Sequence, residues 1–111
     1  MEAIKVYKYQ ETPITFNIGN KNGTMINATE MAKPFGKQPS DWIRLKQTCD
    51  IIDSLSTVRG IPRTGLIRII QGGDNKKNQG TWMHEDVALE FARWLSPAFA
   101  IYPYKYNSYK A

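Results

Sequence analysis

Between two extended apolar runs this sequence places a polar stretch that no core can absorb, Gln71-Gly72-Gly73-Asp74-Asn75-Lys76-Lys77-Asn78-Gln79-Gly80. Before it lies Leu66-Ile67-Arg68-Ile69-Ile70, whose β-branching favours a strand, and after it Thr81-Trp82-Met83 favours extended chain again. Glycines at 72, 73 and 80 supply positive φ where the chain must reverse. The segment 71–82 therefore predicts a β-hairpin with a long polar tip. One account of the tip is a solvated loop that keeps the hairpin soluble. The other is a projecting wing whose Lys76 and Lys77 meet phosphate while its amides meet base or sugar edges.

Upstream, Ile4 to Tyr9 alternates apolar with polar residues, Pro13 interrupts, and Ile14 to Ile18 alternates again. A turn-forming run, Gly19 to Gly23, leads to a short third strand at Met25-Ile26. These pieces predict a small antiparallel sheet that serves as scaffold. Asn27 then stands in an N-cap position with Glu30 three residues later, as in a capping box, and Ile26 and Met31 occupy the places of a hydrophobic staple. Pro34 predicts that this first helix is short and ends near Lys33, with Gly36 completing the turn. A second helix over 40–48, capped by Ser40, would put Trp42, Leu45, Cys49 and Ile52 on one stripe and Arg44 and Gln47 on the other side. A break near Thr48 would start a further helix that buries Ile51, Ile52, Leu55 and Val58. Lys37 and Gln38 fall in the turn before the second helix, so the arrangement is helix-turn-helix-like. Gly60 to Gly65 reads as a linker into the hairpin. After Met83 comes a last helix with acids Glu85 and Asp86 in its first turn, where the helix dipole favours them. Its apolar face is Val87, Ala88, Phe91, Ala92 and Leu95, with Glu90 and Arg93 outward and Trp94 at the edge. Trp82 and Trp94 are expected in the core rather than as stacking platforms.

The charge is unevenly placed. Residues 1–32 balance, whereas 33–82 hold nine basic and four acidic side chains and so match the whole chain's +5. A basic segment beside a neutral one suits a polyanion on one face. Chemistry points away from an enzyme. A single histidine, His84, and a single cysteine, Cys49, allow neither a His/Cys metal set nor a Ser-His-Asp triad. Asp50/Asp53 and Glu85/Asp86 read as solvated or helix-capping acids, His84 as a cap of the last helix, and Cys49 as a small apolar filler. No Gly-Lys-Ser/Thr follows the glycines, so the hairpin is not a phosphate-binding P-loop. No cofactor, metal or membrane partner is expected, and the cytoplasm is the expected compartment.

Four blocks in order carry a resemblance to a known family. Gly23-Thr24-Met25-Ile26-Asn27-Ala28-Thr29 leads into the first helix, followed by Ser40-Asp41-Trp42-Ile43-Arg44. Then come Gln71-Gly72-Gly73 with Gly80-Thr81-Trp82, and finally Ala92-Arg93-Trp94-Leu95-Ser96-Pro97-Ala98-Phe99-Ala100. Together they resemble KilA-N domains and the related fungal APSES domains over about residues 4 to 100. The resemblance implies an α+β, winged-helix-like domain that binds double-stranded DNA, of phage, prophage or DNA-virus origin. It would be a module of a regulator or antirepressor, at work in a bacterial host near the nucleoid. The expected contacts are Lys37, Gln38, Arg44 and Gln47 on the helical side, Arg68 on the strand, and Gln71, Gly72, Gly73, Lys76, Lys77, Asn78 and Gln79 on the wing. Residues 1–100 form the expected domain. The tail 101–111, rich in tyrosine and without helical periodicity, departs from the family's pattern. A rival reading is a protein-interaction module whose basic face docks an acidic partner such as a repressor. RNA binding is disfavoured, since no exposed aromatic series offers stacking platforms.

Overall fold

A computed structural model describes residues 3–9, 11–71 and 79–96. Five antiparallel strands form one sheet in the order β1-β2-β3-β5-β4. The strands are β1 (Ala3–Tyr9), β2 (Thr12–Asn20), β3 (Gly23–Asn27), β4 (Ile67–Ile70) and β5 (Gly80–His84). β3 pairs with β5 through Ile26↔Met83, and β5 pairs with β4 through Ile67↔Met83. Ile26, Met83 and Ile67 thus line up across three strands, and the helices pack on this face. The scaffold strands and the two arms of the wing are therefore one sheet, not two.

The helices are α1 (Ala28–Ala32), α2 (Pro39–Ile43), α3 (Lys46–Arg59), α4 (Arg63–Leu66) and α5 (Glu85–Leu95). α1 behaves as its capping residues predict, since the Asn27 side chain accepts a hydrogen bond from Glu30 N at 3.1 Å. The Glu30 side chain, expected to reach back to the cap residue, instead accepts from Thr15 N on β2 through Oε1 at 2.7 Å and so ties sheet to helix. Pro34 sits in a short 3-10 turn, Lys33–Phe35, and Gly36 closes it in the left-handed region at φ 64°.

The helix expected over 40–48 is two helices. Pro39 starts α2 at its first position, with Gln38 rather than Ser40 as the flanking residue. The break falls at Arg44-Leu45, not near Thr48, because Leu45 is extended (ψ 142°). The reason is packing. In one continuous helix Trp42 and Thr48, six residues apart, would face directions roughly 120° apart. The break lets both be buried, at 2% and 0% exposure, while Leu45 turns toward solvent. Ile52 is buried as expected, but Val58, expected inside, is exposed. Gly60 to Gly65 is likewise not a plain linker, since Arg63–Leu66 makes one helical turn that buries Leu66.

α5 supplies the centre of the core. Val87, Ala88, Phe91, Ala92 and Leu95 are all buried. Phe91 packs on Trp42 with ring centroids 5.3 Å apart and stacks on half-buried Trp94 at 5.9 Å. Trp82 is buried too. His84 caps α5 by accepting from Asp86 N through Nδ1 at 3.2 Å. Its Nε2 lies 2.7 Å from Asn22 O, so Nε2 carries the proton and donates. Cys49 is half-buried, with Sγ 3.8 Å from Ile43 O, a weak contact across the α2–α3 break.

Candidate nucleic-acid interface

Two groups of the expected contact residues fall within the described residues. The first brackets α2. Lys37 and Gln38 precede it, Arg44 caps its end, and Gln47 lies in the first turn of α3; all four are exposed. Five helical residues span about 7.5 Å, so the group is compact. The second group belongs to the wing. Arg68 is exposed on β4, Gln71 is exposed just beyond it, and Gln79 is half-buried just before β5. Gly72, Gly73, Lys76, Lys77 and Asn78 lie outside the described residues.

The register decides where Arg68 belongs. It pairs with Trp82, whereas its neighbour Ile67 pairs with Met83 on the helix-covered face. Side chains alternate along a strand, so Arg68 and Trp82 share the opposite face of the sheet. Arg68 is a wing residue and not part of the α2 cluster.

Electrostatics separate the members of the first group. Arg44 Nη2 lies 2.8 Å from Asp41 Oδ1, with both side chains about half or more exposed. Such a pair is worth less than about 1 kcal/mol, so Arg44 can exchange Asp41 for another acceptor at small cost. Lys37 Nζ sits 4.7 Å over the Trp94 ring, a cation–π contact that anchors the turn to α5. Lys46, which the sequence reading omitted, is among the most exposed cations of the cluster, with its side chain 93% exposed and only a 3.8 Å pair to Asp50. Residues 37–47 carry three cations and one acid. One turn further along α3 the exposed side chains are Asp50 and Asp53. Along this stretch the positive charge therefore sits at the α2–α3 junction, and the next turn of α3, with Asp50 and Asp53, is unsuited to phosphate.

The wing base shows a device that capping alone did not reveal. Thr81 N donates to Thr29 Oγ1 at 3.0 Å, and Asn27 Nδ2 donates to Gln79 O at 3.4 Å. The start of α1 therefore grips the chain where it descends from the wing. Gly80 lies between these contacts with φ 124°. A Cβ there would stand 3.0 Å from Thr29 Oγ1 and 3.2 Å from Asn27 Oδ1, so the grip closes only over glycine. The signal for it was in plain view, as Asn27-Ala28-Thr29 and Gly80-Thr81. Helix capping explained the first block so fully that nothing in the sequence linked it to the second.

Among the described residues no helix is long and apolar enough to cross a membrane, and no three His, Cys, Asp or Glu side chains gather where they could hold a metal ion.

The family model of the KilA-N domain matches residues 7–111. Two proteins of Acanthamoeba polyphaga mimivirus, named as KilA-N domain-containing, are similar to this chain. One is 34% identical over 75 residues, covering 68% of this chain and 20% of that protein. The other is 33% identical over 89 residues, covering 76% and 25%. An uncharacterised protein of fowlpox virus is 24% identical over 100 residues, covering 80% of this chain and 62% of that protein. No solved structure matches. The chain spans a fifth to a quarter of the two mimivirus relatives. With the family model matched over nearly its whole length, this chain belongs to the KilA-N domain family.

Proposed function

We propose that this chain is a double-stranded DNA-binding module that grips the duplex with two elements, the α2–α3 junction and the β4–β5 wing. The reading is supported above all by the family match over residues 7–111. Local chemistry agrees with it. Arg44, Lys46 and Gln47 form an exposed cationic and amide cluster at the junction. Arg44 and Lys46 suit phosphate, and Arg44 can also hold guanine O6 and N7 with two hydrogen bonds. Gln47 and the wing amides Gln71 and Gln79 can pair with adenine. Lys76 and Lys77 are backbone contacts in this reading. Asp50 and Asp53 limit the approach, so the helix enters by its first turn and not along its length.

The relatives named above are proteins of viruses, and they lend no support to a bacterial host or to a phage antirepressor. The role we propose is that of a DNA-binding unit within a longer regulatory protein. The test is titration of the folded protein against random duplex DNA over a range of salt. Four to seven phosphate contacts give a log–log slope of about −4 to −6. Failure of folded protein to bind duplex DNA at low salt refutes the proposal.

A further inference from the structure

An open groove of about 540 Å³ runs between α3 and α5, apart from the residues assigned above to DNA. α3 contributes Asp50, Ile51 and Leu55 to it, and α5 contributes Asp86, Leu89 and Glu90. Ile51 and Leu55 are half-buried and Leu89 is 39% exposed, so the floor is apolar and incompletely covered. The carboxylates stand around that floor. Asp86 is held by Arg59 at 2.9 Å. Asp50 and Glu90 pair with Lys46 and Arg93 on their own helices, contacts of little worth that an incoming cation can replace.

We propose that this groove takes the chain's own C-terminal segment, residues 97–111, by an intramolecular contact. Three observations carry the assignment. The segment is complementary, with Phe99, Ile101 and four tyrosines for the floor, Lys105 and Lys110 for the carboxylates, and no acid of its own. It is close. Ser96 follows the end of α5, and Glu90 lies six residues back along that helix, about 9 Å. Fifteen residues can extend about 50 Å, so reach is no obstacle. Finally, the family match continues through residue 111, so the segment lies within the stretch that the family model matches. The inference does not rest on the DNA-binding reading.

Amide hydrogen exchange of the whole chain tests it. Amides within 99–110 should exchange at least about tenfold more slowly than in a free peptide of the same sequence, at every protein concentration. Leu89→Ser should abolish that protection, and Asp50→Lys should lower it several-fold. Val58→Ser, at a 77% exposed position of α3 outside the groove, should leave it unchanged. Exchange in α3 and α5 reports whether each variant is folded. If Leu89→Ser exposes those helices as well, Asp50→Lys decides. Peptide-like exchange of the tail in the unaltered chain overturns the proposal, as does protection that survives every folded groove variant. Protection that rises with concentration also overturns it, assigning the groove to a second copy.

Discussion

Replacing Gly80 by alanine attacks the wing base at its narrowest point. Two costs add. An L side chain at φ 124° carries backbone strain of about 1–3 kcal/mol. The new Cβ would also stand 3.0 Å from Thr29 Oγ1, so the Thr29–Thr81 hydrogen bond must lengthen or break, for about 1 kcal/mol more. A total of roughly 2–4 kcal/mol lowers the melting temperature of a domain this size by about 10–20 °C. Thr29→Ala alone removes the same acceptor, but Thr29 is exposed and water can serve Thr81 N, so it costs only about 0.5–1 kcal/mol. The two changes share a cause. In the double variant the contact with Oγ1 no longer exists, and its loss of stability should fall short of the sum by about 0.5–1 kcal/mol. Urea denaturation of the four proteins measures the cycle. Strict additivity, or a Gly80→Ala variant as stable as the parent, would refute the idea that α1 grips the wing through Thr29.

Phe91→Ala should cost about 3–5 kcal/mol, because a fully buried ring between Trp42 and Trp94 is lost, and thermal melting reads it. Thr48→Val should stabilise the domain by about 1 kcal/mol, since Thr48 Oγ1 is buried with no hydrogen-bond partner among the described residues; an unchanged or lower urea midpoint counts against it. Arg44→Ala should cost about 1–3 kcal/mol on a preferred duplex and less on random DNA. Lys46→Ala should weaken both alike and flatten the salt slope by about one unit, and anisotropy titrations on the two duplexes separate these outcomes. Lys76→Ala with Lys77→Ala should weaken DNA binding and leave the melting temperature almost unchanged; a large drop in melting temperature would make the wing tip structural.

Local rules determined much of this protein from its sequence alone. Alternation located β1 and most of β2, although β2 runs through Pro13 rather than starting after it, a turn-forming run placed β3, and Asn27 located the start of α1. Glycine and polar residues between β-branched runs marked the wing, and helical spacing placed Val87, Ala88, Phe91, Ala92 and Leu95 in the core. These features depend on neighbours within a turn or two, which sequence order preserves. Tertiary structure decided the rest. The 40–48 stripe was self-consistent as a helix, yet the chain breaks at Arg44-Leu45 because Trp42 and Thr48 must both face a core that α5 and the sheet create. Arg68 separates from Arg44 because pairing with β5 assigns it a face. Thr29 meets Thr81 across 52 residues of chain, and Lys37 meets Trp94 only after α5 has packed. Such contacts depend on where elements come to rest against one another, and no local pattern in the sequence encodes that.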